Sequence, residues 1–359
     1  MPHVEIIRPS ELSESRRALW ARLLDSRPVV SPLLHPDFTD LVAGSRPDVR
    51  IACATDRQGH RAFLPFHKRP LGLARPIGST FSDYHALIAE PDFSESLETI
   101  LHAAGLRGYR YFALLDGDGD GDRGYRVTVD ADKDPLAIFQ ANHPRRAKAF
   151  RRLRRKLERD HGRIELILDD RRKSTFDALL GWKTQQFAAT GRHNVLKPRW
   201  ASRLLSRLHA RGHGLVGGYL VSLCVDGTPV AAEFGPRLGG IFHPWLAAYD
   251  DQYDRYSPGH LLVHGFIQSM PVAGVTAYDL GTGDDPHKIM FATESFQVSA
   301  GFAYPARPRW RAEWLQPGAG GLAGKVARRW EQIILSETGL MGRLGGAATA
   351  ANRLISRKV

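Results

Sequence analysis

Four side chains that can move protons or meet negative charge lie between residues 233 and 288. Glu233 stands in the apolar run VAAEFG, where an ionisable group is costly to bury unless it has a partner or a chemical task. His243 shares a face of the next predicted strand with Trp245, because side chains alternate along a strand. Asp279 ends a later predicted strand, and Lys288 lies in the first turns of the helix after it. Since these residue types carry general acid–base catalysis, the predicted catalytic residues are Glu233, His243, Asp279 and Lys288.

Three of these side chains also have a structural interpretation. Glu233 could form a salt bridge across the sheet, His243 could be hydrogen-bonded within the core, and Lys288 could be an ordinary surface lysine. Tyr249 and Tyr278 end predicted strands, where a phenol either donates a proton or packs.

The stretch YDRYSPGHLL at 253–262 indicates a site for an anion. Proline suits the first turn of a helix, a serine before it can act as a cap, and a glycine lets the backbone approach a ligand closely. Unpaired amides and the helix dipole at such a start attract phosphate groups. A capped structural helix explains the same residues equally well. The predicted cofactor-binding residues are Arg255, Ser257, Pro258, Gly259, His260 and Leu261.

The elements around this stretch predict an antiparallel meander followed by helix, strand, helix and strand. Three apolar runs, LVGGYLVSLCVDG, TPVAAEFGPRL and GIFHPWLAAYD, are separated by Asp226-Gly227 and Gly239-Gly240, which are typical of tight hairpins. Before them, 135–162 is predicted as a helix pair or one long helix, and two further helices follow the strand RIELIL.

The first half of the chain predicts its own set of strands and helices. VEIIR at 4–8 is a predicted strand, and the helix after it is expected to have Ser10 as its N-cap. Residues 48–70 predict two strands joined by a turn at 56–60. The similar order in both halves predicts an N-terminal lobe at 1–134 and a catalytic lobe at 135–306. The basic, Gly/Ala-rich tail predicts a helical extension at 307–359.

Several motifs within 145–304 together resemble one family. They are RRAKAFRRLRRKLERDHG, WKTQQFAATG, VDGTPVAAEF, FHPWLAAYDDQYDRYSPGHLL and YDLGTGDDPHKIMFA. This string resembles the CelD/BcsL-like branch of the GNAT acetyltransferases, which is linked to cellulose and exopolysaccharide synthesis and is akin to the Fem-type peptidyltransferases. The resemblance implies an α/β (α+β) fold of two GNAT-like lobes, each a mixed, mostly antiparallel sheet flanked by helices.

The resemblance also implies an activity. An acyl group would pass directly, in a ternary complex and without a metal, from acetyl-CoA or a longer acyl-CoA to an amino or hydroxyl group of a sugar nucleotide or polysaccharide precursor. By the same resemblance, Lys288 is expected to stabilise negative charge on the reacting group, as a lysine near this point does in Fem-type enzymes. The pyrophosphate motif is degenerate, because Arg255 and Gly259 stand four residues apart instead of three and Leu261 replaces a small residue. Two alternatives stay open: a Fem-like transferase that uses aminoacyl-tRNA, and an inactive scaffold of a polysaccharide synthase.

Two segments are candidates for the acceptor pocket. One is the loop GSTFSDYHALIA, and the other is the predicted helix at 174–191, where four-residue spacing puts Trp182 and Gln186 on one side. Structural roles are equally open for both. The predicted substrate-binding residues are Asp83, Tyr84, His85, Trp182, Lys183 and Gln186.

The composition predicts a globular protein with anionic partners. The 359 residues carry a formal charge of +12, and 43% are apolar. The basic helix at 145–159 predicts a solvated face or a contact with an anionic membrane or synthase, and nucleic acid is not expected except as tRNA. No membrane span, secretory signal or covalent nucleophile is predicted, and two cysteines suggest a reducing compartment, so the cytoplasm is the expected location.

The segment DGDGDGDRG at 116–124 has aspartates at the spacing of a calcium-binding loop. Its twelfth position is Val127 rather than glutamate, so a solvated turn is the preferred interpretation and no metal site is predicted.

Overall fold

The computed structural model describes residues 1–117, 121–129, 134–212, 214–305, 333–337 and 342. Residues 118–120 of the aspartate-rich segment lie outside the described residues, and so does nearly all of the predicted extension at 307–359. Among the helices that the structure describes, none combines the length and the apolar character needed to cross a membrane.

The described residues form strands and helices in alternation. The strands are β1 (His3–Ile7), β2 (Val49–Thr55), β3 (Arg61–Lys68), β4 (Leu73–Pro76), β5 (Ile88–Ala89), β6 (Gly108–Leu114), β7 (Arg123–Thr128), β8 (Ile164–Ile167), β9 (Val216–Val225), β10 (Thr228–Leu238), β11 (Ile241–Phe242), β12 (Leu246–Tyr249), β13 (Ala277–Thr282), β14 (Glu294–Gln297) and β15 (Ser299–Ala303). The α-helices are α1 (Glu14–Asp25), α2 (Pro36–Ala43), α3 (Leu97–Ala103), α4 (Pro135–Asn142), α5 (Pro144–His161), α6 (Lys173–Thr190), α7 (Arg199–Ala210), α8 (Pro258–Ser269) and α9 (Pro286–Phe291).

One compact unit contains the described residues of Met1–Asp122, Gly191–Leu204 and Gln297–Val359. Its described strands have the order β1-β2-β3-β4-β6-β15, with β5 paired to β3, and among them only β4 and β6 run parallel. The hairpin predicted within 48–70 is confirmed as β2 and β3. The predicted cap at Ser10 is wrong: Ser13 accepts the amide of Arg16 at the start of α1, because Pro9–Glu11 form a separate 3-10 turn.

The second unit contains Arg123–Thr190 and Leu205–Phe296. Its sheet has the order β14-β7-β13-β11-β10-β9-β8, with β12 paired to β10. The predicted meander is confirmed: β9 and β10 are antiparallel and joined at Asp226-Gly227, whose φ angles of 45° and 78° suit a tight hairpin. The third run of the meander is divided into β11 and β12, and each of them pairs with β10.

Both units combine segments that are distant in sequence, whereas the sequence predicted consecutive parts divided near residue 135. The difference arises from strand pairing. β7 precedes that boundary but pairs with β13 in the second sheet, and β15 follows the second sheet in the chain but pairs with β6 in the first. The helix pair predicted at 135–162 is confirmed as α4 and α5, which are separated at His143 because Pro144 begins a new helix.

Two neighbouring strands of the second sheet, β11 and β13, separate after Phe242. β11 runs parallel to β13, with Ile241 opposite Ala277 and Phe242 opposite Tyr278. The chain then continues as β12, which among the described strands pairs with β10 alone. A gap therefore opens between β12 and β13 beyond Phe242. From the end of β12, a 3-10 turn at Asp251–Tyr256 leads directly to α8.

α8 covers one face of this sheet and α6 packs on the other. Phe266 of α8 contacts Tyr278 and Phe242, with ring centroids 4.9 and 5.5 Å apart. On the opposite face, Phe234 packs against Phe176 of α6 at 4.9 Å. The buried aromatic cluster on the α8 side therefore connects β11 and β13 just before the strands part.

Candidate functional site

A buried carboxyl group, Glu233, lies in the middle of the second sheet. It is 6% exposed and stands on β10 opposite Val221 of β9 and Ala247 of β12. Because the adjacent Phe234 faces α6, alternation places Glu233 on the face covered by α8. There the hydroxyl group of Tyr278 donates to Glu233 Oε2 at 2.5 Å. The bond joins β10 to β13 across the short strand β11.

Burial sets the protonation of this pair. Removal from water raises the pKa of Glu233 to about 7, although the hydrogen bond from Tyr278 and the charge of Lys183 both lower it. Burial, together with the negative charge of Glu233, raises the pKa of Tyr278 well above its ordinary value. The phenol therefore keeps its proton at neutral pH, while Glu233 is divided between acid and carboxylate. A carboxylate with a pKa near the working pH is suited to general base catalysis.

The substitution Tyr278→Phe is expected to raise the pKa of Glu233, because it removes a hydrogen bond that favours the ionised form. A shift of about 1 unit corresponds to one hydrogen bond to a charged group. Carbon-13 NMR of labelled glutamate carboxyl groups measures it directly. Tyr219→Phe, at a buried phenol on the same face, is the control and should leave the titration in place. An unchanged pKa in the Tyr278 variant would contradict the pairing.

α6 brings Lys183 to this region. Its ammonium group donates to the carbonyl of Ala247, the residue opposite Glu233, at 3.0 Å and to Gln186 Oε1 at 2.9 Å. Trp182 is half-buried on the same helix. Of the predicted substrate-binding residues, Lys183 therefore has the closest connection to Glu233, through β12. The acceptor-binding roles of all three stay predictions.

His243 and Asp279 lie on the face of the sheet opposite to Glu233. They directly follow Phe242 and Tyr278, which face α8, so alternation turns them the other way. His243 Nδ1 lies 3.5 Å from Asp279 Oδ2, and the side chains are 0% and 1% exposed. Asp279 Oδ1 accepts the amide of Gly281 at 2.8 Å. The structure joins these two predicted catalytic residues to each other and not to Glu233, at the level where the strands part.

Lys288 lies at the end of β13. Its ammonium group donates to the carbonyl of Thr282, the last residue of that strand. An ammonium group has three protons, so this bond leaves two for other acceptors. The predicted role of Lys288 in meeting negative charge stays a prediction.

The start of α8 presents two backbone amides without acceptors. Ser257 precedes the helix in the left-handed conformation, with φ 52° and ψ 54°, and its side chain makes no capping bond, so the predicted serine cap is wrong. The amides of Gly259 and His260 have no acceptor among the described residues, which makes this helix end positive. A Cβ atom on Gly259 would lie 3.5 Å from Tyr249, an ordinary contact. Packing within the protein therefore does not require glycine here.

The other predicted cofactor-binding residues differ in their surroundings. Arg255 is exposed, and its guanidinium group lies over the ring of Tyr256, 4.7 Å from its centre. His260 is half-buried and stacks on Phe150 of α5, with ring centroids 5.6 Å apart. Pro258 and Leu261 have buried side chains, and the amide of Leu261 is bonded within the first helical turn. Leu261 thus anchors the helix in the core.

Asp83, Tyr84 and His85 belong to the first unit. Tyr84 and His85 are buried there, and His85 Nε2 accepts the amide of Ala113 in β6 at 3.1 Å. This bond fixes the loop to the sheet. A part for these residues in acceptor binding stays a prediction.

The sequence predicts packing or proton donation for Tyr278 and does not connect it with Glu233. One signal was available: each is a polar group in an apolar strand, and buried polar groups are almost always hydrogen-bonded to a partner. The described residues contain no group of three or more His, Cys, Asp or Glu side chains positioned to hold a metal ion.

Comparison with known proteins finds a family that matches the middle of the chain. Residues 144–289 match the family model of an acetyltransferase (GNAT) domain. The matched segment runs from α5 into α9 and includes Glu233, Tyr278 and the start of α8. No curated protein matches the chain significantly. The domain match supports an acyltransferase.

The chain is similar to several solved structures, of which FemX shows the fold. The crystal structure of FemX has a TM-score of 0.54 at 10% identity, covering 83% of this chain and 96% of that chain. Two others are the C-terminal domain of a putative lysylphosphatidylglycerol synthetase from Agrobacterium fabrum (TM-score 0.46, 10% identity, 91% and 99% covered) and a tandem GNAT protein from the clavulanic acid biosynthesis pathway (TM-score 0.43, 10% identity, 80% and 92% covered). The predicted α/β fold of two mixed sheets flanked by helices is confirmed.

Proposed function

We propose that this protein transfers an acyl group from acetyl-CoA or a longer acyl-CoA directly to an amino or hydroxyl group, with Glu233 as the general base. The observation that carries the proposal is the buried Glu233–Tyr278 pair beside the gap between β12 and β13, within a segment that matches an acetyltransferase domain. The amides of Gly259 and His260 support a donor that carries a diphosphate.

Glu233 has one task in this reaction. Its carboxylate takes the proton from the acceptor while the acceptor nitrogen or oxygen attacks the thioester carbonyl. The bond from the carbonyl carbon to sulfur then breaks, and CoA leaves as a thiolate that takes a proton from water, while Glu233 returns its own proton to water. Tyr278 keeps its proton and orients the carboxylate. Lys288 supplies positive charge at the end of β13 for the oxyanion that develops.

The acceptor class is part of the proposal and is supported by the resemblance to the CelD/BcsL-like branch. That resemblance favours a sugar nucleotide or an exopolysaccharide precursor. The same proposal includes a peripheral contact with a polysaccharide synthase or an anionic membrane, which the cationic surface of α5 would suit.

Binding and turnover test the proposal separately. Titration calorimetry with acetyl-CoA and with longer acyl-CoA should give micromolar binding. Release of free thiol should then depend on an amino sugar, a sugar nucleotide or an oligosaccharide, and mass spectrometry should find the acylated acceptor. Absence of binding to every acyl-CoA would refute the proposal.

A second candidate is supported by one observation. α5 carries nine lysine and arginine residues but only two acidic ones, a charge density that would suit the phosphates of a tRNA donor. This candidate expects binding of aminoacyl-tRNA and amino-acid transfer in the absence of acyl-CoA. Acyl transfer from purified acetyl-CoA without RNA would exclude it.

A further inference from the structure

A concave basic surface lies between α5 and the 3-10 turn before α8. The cavity has a volume of about 610 Å³. Four cations come from positions on α5 spaced by three and four residues, which is one face of the helix. The fifth cation comes from the turn. The residues of this cationic cavity are Arg152, Leu153, Arg155, Lys156, Arg159 and Arg255.

Tyr256 holds the two sides of the cationic cavity together. It is buried, and its hydroxyl group donates to Asp160 Oδ2 at 2.9 Å, which ties the turn to the end of α5. The Lys156 ammonium group lies 5.5 Å and the Arg255 guanidinium carbon 4.7 Å from the centre of the same ring. These two cations therefore lie against the same buried ring.

The charges of the cationic cavity are largely uncompensated. Arg159 pairs with Asp160 at 2.8 Å. Within the described residues, no carboxylate lies within ion-pair distance of the other four cations. Cations held at this spacing repel one another, and an anion with more than one charge relieves the repulsion. A phosphomonoester, with a charge between about −1.5 and −2 at neutral pH, has that property.

Arg255 connects the cationic cavity with the start of α8. It lines the cavity and precedes the free amides of Gly259 and His260 by only four and five residues. CoA carries a diphosphate and a 3′-phosphate on the same nucleotide, so one ligand presents phosphate groups to both places. A concave site of this volume favours such a nucleotide over a flat lipid surface.

We propose that the cationic cavity binds the 3′-phosphate of the CoA donor. The inference rests on the proposed function. It adds that the protein discriminates in favour of ligands with a 3′-phosphate. Ligands that lack this phosphate, such as dephospho-CoA or a phosphopantetheine arm alone, bind weakly.

Titration calorimetry with CoA and dephospho-CoA tests the selectivity. The protein should bind CoA about 10 to 100 times more tightly than dephospho-CoA, the range expected for hydrogen bonds to a charged group. Arg155→Gln should weaken CoA binding about tenfold and leave dephospho-CoA binding unchanged, because the second ligand lacks the group that Arg155 contacts.

Arg154→Gln is the matched control, since it removes the same charge one residue away on a side chain that does not line the cavity. Equal binding of CoA and dephospho-CoA would overturn the inference and leave the proposed function intact. If neither CoA nor dephospho-CoA bound, the inference and the proposed function would both be overturned. An equal loss of CoA affinity in the two arginine variants would assign the selectivity to the overall charge and overturn the inference. The inference would also be overturned if tRNA without an amino acid displaced CoA from the native protein but not from Arg155→Gln.

Discussion

Glu233→Gln is expected to lower kcat by a factor of about 10² to 10⁴, the usual contribution of a positioned general base. Glutamine keeps the shape and still accepts the hydrogen bond from Tyr278, but it takes no proton. The Kd of acetyl-CoA should stay unchanged. Glu165→Gln, at an exposed glutamate of β8, is the matched control and should keep full activity. Native turnover by Glu233→Gln would remove Glu233 from the mechanism.

The pH dependence provides an independent check. Because the base must be ionised, kcat/KM should rise tenfold per unit below the pKa of about 7 and level off above it. The residual activity of Glu233→Gln should lack this ascending limb. A native profile with an inflection near the ordinary pKa of a glutamate would contradict the assignment.

The same substitution should stabilise the fold at alkaline pH. The folded-state pKa of Glu233 is raised from its ordinary 4.5 to about 7, so the carboxyl group favours folding less as the pH rises between these values. A shift of this size corresponds to about 3 kcal/mol of unfolding free energy. Urea unfolding should find Glu233→Gln more stable than the native protein at pH 8. The advantage should disappear at pH 4, where the native side chain is protonated. Equal stability at both values would contradict the raised pKa.

Gly259→Asp is expected to weaken acyl-CoA binding about 100-fold, because it places a carboxylate where the donor diphosphate would meet the helix end. The helix itself should tolerate the change, since an acidic residue in the first turn stabilises a helix by about 0.3 to 1 kcal/mol. Thermal unfolding together with titration calorimetry separates the two effects. Unchanged affinity for acyl-CoA would exclude the start of α8 from donor binding.

The substitution Gly259→Ala distinguishes the steric effect of an added side chain from the effect of an added negative charge. Its Cβ atom would meet only Tyr249, at an ordinary 3.5 Å, so the fold should keep its stability. A loss of affinity in this variant would mean that the ligand requires the close approach. If Gly259→Ala kept full affinity for acyl-CoA while Gly259→Asp lost most of it, the effect would be due to charge alone.

Much of the local structure follows from the sequence alone. Asp226-Gly227 predicted the hairpin between β9 and β10, because both positions need a backbone that these residues adopt readily. Pro258 and Gly259 predicted the start of α8, and the isolation of Glu233 in an apolar strand predicted a carboxyl group with a partner or a task. These inferences depend on the conformational preferences of a few adjacent residues.

The tertiary structure decided which partner each group has. Tyr278 lies 45 residues after Glu233, and their bond depends on the parallel register of β11 with β13, which no local pattern encodes. That register also turns His243 and Asp279 to the opposite face, although the sequence predicted them as catalytic residues together with Glu233. Side-chain alternation fixes which residues of one strand share a face. The pairing of separate strands, through hydrogen bonds between distant segments, decides which of those faces meet.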